Sequence, residues 1–212
     1  MITQELLDEL WDFSDPAESE RRFAAEAASL AHTDAERAEL LTQQARALGL
    51  QERFGEGRAL LDSLGPGADA VVGTRVKLES GRLLNSAGNA AEAVIEFEAA
   101  AALARSGGLL FLEIDALHML AIADRARSGE WAAEAIDRAL AAPDDRTRRW
   151  LVGLYNNLGC SHSEAGDLDQ ALAAFLRAQE WAERIGTEQQ RVWAREAVEE
   201  CTAARQARDA QR

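Results

Sequence analysis

Two stretches 78 residues apart, Gly88-Asn89-x-x-x-Ala93-x-x-x-Phe97 and Gly166-Asp167-x-x-x-Ala171-x-x-x-Phe175, carry the same glycine, alanine and phenylalanine at the same spacing, with Asn or Asp after the glycine. A turn glycine, a capping residue, a small residue and an aromatic at four-residue steps describe one helix face entered through a tight turn. A weaker copy lies between them at Gly129-Glu130-Trp131 followed by Ala135. Earlier relatives stand at Glu52-Arg53-Phe54 followed by Gly57 and Leu61, and at Ser14-Asp15-Pro16 followed by Ser19 and Phe23. A helix-length apolar segment precedes each turn, so the repeating unit is helix–turn–helix, with a period of roughly 34 residues lengthened by variable linkers. Such a unit cannot bury its apolar face alone and must stack on its neighbours.

The rest of the chain agrees with an all-helical reading. Its three prolines, Pro16, Pro66 and Pro143, sit beside turn residues, and alanine makes up about a fifth of the sequence, the residue with the lowest helical cost. Apolar positions such as Leu168, Leu172, Phe175 and Leu176 recur at steps of three and four. Thr33-x-x-Glu36, Asn89-x-x-Glu92, Asp167-x-x-Gln170 and Thr187-x-x-Gln190 each place a capping oxygen three residues before Glu or Gln, and Asp15-Pro16 adds a cap followed by a first-turn proline.

Tyr155-x-x-Leu158-Gly159-x-x-His162, then Ala171-x-x-x-Phe175 and Ala178, resembles the tetratricopeptide repeat signature. It departs from that signature at His162, where an aromatic is usual, and at Glu183, near the expected terminal proline. The unit containing Gly81, Leu84, Ala93, Phe97 and Ala100 repeats the pattern. In physical terms, small Gly159 and Ala171 let two helices cross closely while Tyr155, Leu158 and Phe175 fill the space beside them. Leu10-Trp11-Asp12-Phe13, Asp115 to Leu120 and Arg149 to Gly159 are also similar to segments of a group of bacterial repeat proteins. The resemblance implies an all-α, right-handed α-solenoid forming one domain over 1–212. Its repeats are expected at about 1–32, 33–65, 73–107, 109–143 and 146–185, with a capping helix at about 187–208 whose Trp193, Ala197, Val198 and Cys201 form an apolar stripe. The fourth unit carries an extra residue in its turn, and Gly65-Pro66-Gly67-Ala68-Asp69 reads as a flexible connection.

Composition excludes several functions. With 37 acids against 23 bases the net charge is −14, which repels phosphate backbones, so no nucleic-acid partner is expected. No run approaches the roughly 20 apolar residues of a membrane span, and the first residues lack the basic start and apolar run of a signal peptide. A cytoplasmic location is therefore expected. Cys160, Cys201 and three histidines make neither a disulfide framework nor a metal site, so no cofactor is expected. Cys160 and His162, two apart on a helix, point about 200° from each other and cannot act as a nucleophile–base pair. Catalysis is not expected.

Candidate binding residues fall on the first helix of each unit, which lines a solenoid's inner groove. Repeat register assigns to that face Arg75, Arg82 and Asn85, then Asp115, His118 and Arg125, then Asn156 and Ser163, with Asn157 at its shoulder. Asparagine amides can grip an extended peptide backbone and Arg82 can fork a carboxylate, but the two asparagines can equally bridge adjacent helices. Some tetratricopeptide proteins clamp a terminal carboxylate with lysines, arginines and asparagines; this chain offers Asn157 and Arg191 but lacks the lysines. The expectation is a scaffold binding a protein or peptide partner in the groove. The alternative is a peptide- or small-molecule-sensing regulatory module of a bacterial signalling system. The five tryptophans read as wedges between repeats, with Trp150 singled out for partner contact. Self-association stays open, since solenoid ends expose apolar edges while the final helix argues for a capped monomer.

Overall fold

A computed structural model describes residues 2–65 and 69–210. The described residues form α-helices and no strands, as the repeat pattern expects. The chain divides into two compact units, Met1–Ala126 and Arg127–Arg212. The division falls in the turn of the expected fourth repeat. That turn contains no left-handed residue, and the helix after it has no side-chain cap.

The first unit runs through α1 (Gln4–Leu10), α2 (Pro16–Ala27), α3 (Asp34–Leu50), α4 (Phe54–Ser63), α5 (Ala70–Ser86), α6 (Ala90–Ser106) and α7 (Leu110–Ala123). The second contains α8 (Ser128–Leu140), the single turn α9 (Asp145–Arg148), α10 (Trp150–Glu164), α11 (Leu168–Ile185) and α12 (Glu188–Asp209). Within each unit helices pack chiefly on their chain neighbours: α2 on α3, α5 on α6, α6 on α7, α10 on α11 and α11 on α12. This sequential stacking is the architecture expected of tetratricopeptide-like repeats.

The duplicated motif does the same work in both units. Gly88 and Gly166 adopt φ of 85° and 79°, ending α5 and α10 in the left-handed conformation. The next backbone N–H then closes the turn, from Asn89 to the Leu84 carbonyl and from Asp167 to the His162 carbonyl, both at 2.9 Å. Deeper in each hairpin, a Cβ on Gly81 would lie 2.4 Å from the Phe97 ring, and one on Gly159 would lie 2.5 Å from the Phe175 ring. Bare glycine backbone is therefore the surface on which each phenylalanine rests.

Thr33 and Thr187 form complete capping boxes with Glu36 and Gln190, and Asp15 and Asp167 accept from the N–H groups of Glu18 and Gln170. Asn89 makes no side-chain cap bond, contrary to expectation. Its neutral amide is a weaker acceptor at a helix N-terminus than the Asp167 carboxylate at the matching position. Helix α5 begins at Ala70, ahead of the expected 73, because Asp69 accepts from the N–H groups of Val71 and Val72. The centre of the expected flexible connection, residues 66–68, lies outside the described residues.

Phe23, Leu7, Ile2 and Leu40 form one core of the first unit, and Ala45, Leu61 and Leu83 another. Trp11 stacks on Phe13 at 4.6 Å, meets Phe23 edge-on and donates its indole N–H to Gln43, a wedge as expected. In the second unit Val152 packs with Ala182 and Ala194, and Phe175 with Ala171 and Cys201.

Candidate functional site

Three of the residues assigned to the groove are engaged by other side chains of the first unit. Arg75 on α5 donates to Glu39 on α3 at 3.0 Å, and the other Glu39 oxygen accepts from the Ile2 N–H at 2.9 Å. Arg82 donates to Glu79 at 2.6 Å and to Asp115 on α7. Glu39, Glu79 and Asp115 are buried. Arg75, Arg82 and Asp115 are thus members of a buried ionic network joining α3, α5 and α7. Charges this far from water are kept only when paired, and this pairing claims them. Burial works against the Asp115 charge, but Arg82 and then Arg46 outweigh it and hold its carboxyl below the usual carboxylate range. Burial also pushes His118 below its usual value, with Arg82 and Arg46 adding to the effect and Asp115 opposing it.

The remaining first-unit candidates divide. His118 and Asn85 are half-buried on α7 and α5. Arg125 is exposed in the turn after α7, because that helix stops at Ala123, and so it does not lie on an inner helix. Beside the network lies a pocket of about 220 Å³, walled by Leu50, Leu83 and Met119 and edged by Arg46, Glu79 and Ser86. Sequence reading missed Glu39, Glu79 and Arg46. The three-residue step from Glu79 to Arg82 was the available signal for the first link of the network.

In the second unit, α10, α11 and α12 enclose a cleft of about 580 Å³. Asn156, Cys160 and Ser163 line it from α10, Phe175 from α11, and Trp193, Glu196 and Glu200 from α12. Two groove candidates, Asn156 and Ser163, are therefore brought together here, while Asn157 is half-buried on the same helix. The Asn156 amide lies 4.0 Å from the Cys160 sulfur, a weak contact that leaves most of its hydrogen-bonding capacity unused. Burial, and then Glu164, push the Cys160 thiol up, which disfavours its thiolate.

Trp193 is 60% exposed and faces this cleft, where the sequence placed it in a covering stripe. Trp150, the tryptophan singled out from sequence, is half-buried. Positions 193, 196, 197, 200 and 201 share one face of α12, and only the Cys201 end of it is buried against α11. Arg191 is held by Glu188 and the Gly186 carbonyl, so it is committed locally. Among the described residues no group of His, Cys, Asp or Glu is arranged to hold a metal ion, and no helix is long and apolar enough to cross a membrane.

A family model described as a tetratricopeptide repeat matches residues 152–184, which fall in α10 and α11. No curated protein matches the chain. Among solved structures, BtubC (BKLC) from P. vanneervenii is similar with a TM-score of 0.64 and 18% sequence identity, over 95% of this chain and 92% of that one. At that identity the likeness is one of fold. The matched segment, with the glycine–phenylalanine hairpins, supports a tetratricopeptide-repeat protein with its matched repeat at 152–184, and the structural likeness covers the fold of the chain.

Proposed function

We propose that the chain is a non-catalytic scaffold that holds an extended segment of a partner protein in the cleft between α10 and α12. The observation that carries this reading is Trp193: a large indole, 60% exposed, set in a 580 Å³ cleft beside polar Asn156 and Ser163. Exposed aromatic surface framed by unsaturated amide and hydroxyl groups suits a peptide, whose side chains cover the ring while its backbone meets the polar groups. Glu164, Glu196 and Glu200 also line the cleft and no arginine or lysine does, so a neutral or basic segment is favoured over an acidic one.

The test is peptide display selected against the full chain, followed by binding to Trp193→Ala and Asn156→Ala variants whose helicity matches the parent. Selected peptides should bind Trp193→Ala at least about tenfold more weakly, as expected for a central aromatic anchor. Equal binding to the variants would remove the cleft from the reading. A second reading, a module that senses a small molecule, is favoured by the separate pocket of the first unit, whose size suits a ligand of amino-acid dimensions.

A further inference from the structure

The pocket beside the ionic network has one basic and one acidic group whose hydrogen-bonding capacity is unmet. Arg46, on α3, makes no ion pair or hydrogen bond among the described residues; its guanidinium lies over the faces of Trp11 and Phe13, at 5.4 and 5.5 Å from the ring centroids. Burial, and then the nearby Arg82, push this guanidinium below its usual value, while Glu79 and Asp115 oppose them. Glu79 is 1% exposed, and while one of its oxygens accepts from Arg82, the other is buried and accepts no hydrogen bond. A buried carboxylate oxygen left this way costs free energy that a donor would recover.

The charge balance narrows the ligand. Arg46, Arg75 and Arg82 face Glu39, Glu79 and Asp115, so the cluster is neutral as it stands. A simple anion at Arg46 would leave it negative and a simple cation at Glu79 would leave it positive, in surroundings where an unbalanced charge is costly. A zwitterion supplies an acceptor to Arg46 and a donor to Glu79 without changing the balance. The other walls, Leu50, Leu83 and Met119, are apolar, and about 220 Å³ accommodates a body of a few carbons. We infer that this pocket binds a small zwitterion of the α-amino-acid class with an aliphatic side chain, its carboxylate on Arg46 and its ammonium directed to Glu79. The inference rests on the small-molecule reading and is independent of peptide docking in the second unit.

Thermal melting and calorimetry on the full chain test it with L-leucine and L-methionine as probes, alongside 4-methylpentanoic acid and isoamylamine, which each carry half of the charge pattern. The amino acids should raise the melting temperature at millimolar concentration, and each half-ligand should bind at least about tenfold more weakly. Arg46→Gln should weaken the amino acids about tenfold or more, as for loss of a charge-assisted bond. Ser86→Trp should block binding from the exposed mouth of the pocket and leave the network intact, so it serves where Arg46→Gln lowers helicity. Half-ligands binding as tightly as the amino acids, with both variants abolishing the effect, would overturn the zwitterion and leave the sensing reading standing. No shift with any probe, or shifts that persist in Ser86→Trp, would overturn the inference and remove this pocket from the sensing reading as well.

Discussion

At the scale of single residues, two glycines six positions apart on α10 separate packing from propensity. A glycine in a helix interior ordinarily costs about 0.5–1 kcal/mol relative to alanine. Gly153 has nothing within 4 Å of the Cβ that alanine would add, so Gly153→Ala should stabilise the protein by about that amount. At Gly159 the same methyl would lie 2.5 Å from the Phe175 ring, itself buried, and overpacking should reverse the sign to a loss of about 1–3 kcal/mol. Urea unfolding of both variants reads the two directions against each other. The buried network makes a second prediction at this scale. Removing one partner of a buried pair leaves the other charge stranded, so Asp115→Ala should cost about 3–5 kcal/mol. Asp115 titrates below its unfolded value in the fold, so its stabilisation is complete above about pH 4 and drains away as acid approaches the lower folded value. His118 is also depressed: the unfolded chain takes up its proton first, so stability begins to fall below about pH 6.5. His118→Gln should flatten the upper part of that acid slope and leave the lower part to Asp115, as followed by unfolding free energy against pH.

At the scale of helices, much of the capping was legible in the sequence because it depends on residues three apart, although Thr3, Asp69 and Asp144 also cap and were not singled out. Thr33, Asp167 and Thr187 cap as their spacing predicts, and Asn89 is the exception. Thr33→Ala and Thr187→Ala should therefore each cost about 1 kcal/mol, whereas Asn89→Ala should change stability by only a few tenths, measured as shifts in the urea midpoint. The hairpins were legible for a related reason: glycine and the phenylalanine sixteen residues further along, Gly81 with Phe97 and Gly159 with Phe175, must meet across one turn, and few other residues fit that contact. Where the motif decays, legibility goes with it. The Gly129-Glu130-Trp131 copy offers no left-handed glycine ahead of α8, and the boundary between the two compact units falls there. The final helix shows a different limit. Its apolar stripe is real at Ala194 and Cys201, but a periodic pattern does not tell which members face a neighbour and which, like Trp193, face open space.

At the scale of the whole molecule, the candidate groove residues show what repeat register conveys and what it leaves out. Register selects a helix face, and that is why Asn156 and Ser163 fall on one cleft. It contains no information about partners on other helices, and so it could not reveal that Glu39 and Asp115 consume Arg75 and Arg82. The same bookkeeping of paired and unpaired charge governs how the protein should respond to salt. Many exposed ion pairs, such as Arg21 with Glu18 and Arg58 with Asp62, are one helical turn apart and contribute about 0.3–0.5 kcal/mol each at most. The buried pairs are screened little, so salt leaves them nearly intact. Against these stands an excess of 14 negative charges with no counterpart in the chain, whose mutual repulsion favours expansion. Raising sodium chloride from about 10 to about 150 mM shortens the screening length from roughly 30 to 8 Å, which removes long-range repulsion while touching the short surface pairs less. The melting temperature should therefore rise by a few degrees across that range, equally with potassium chloride, because general screening does not distinguish the two cations. A flat or falling melting curve would mean that the exposed pairs contribute more than their geometry suggests and that the acidic excess is already dispersed at low salt.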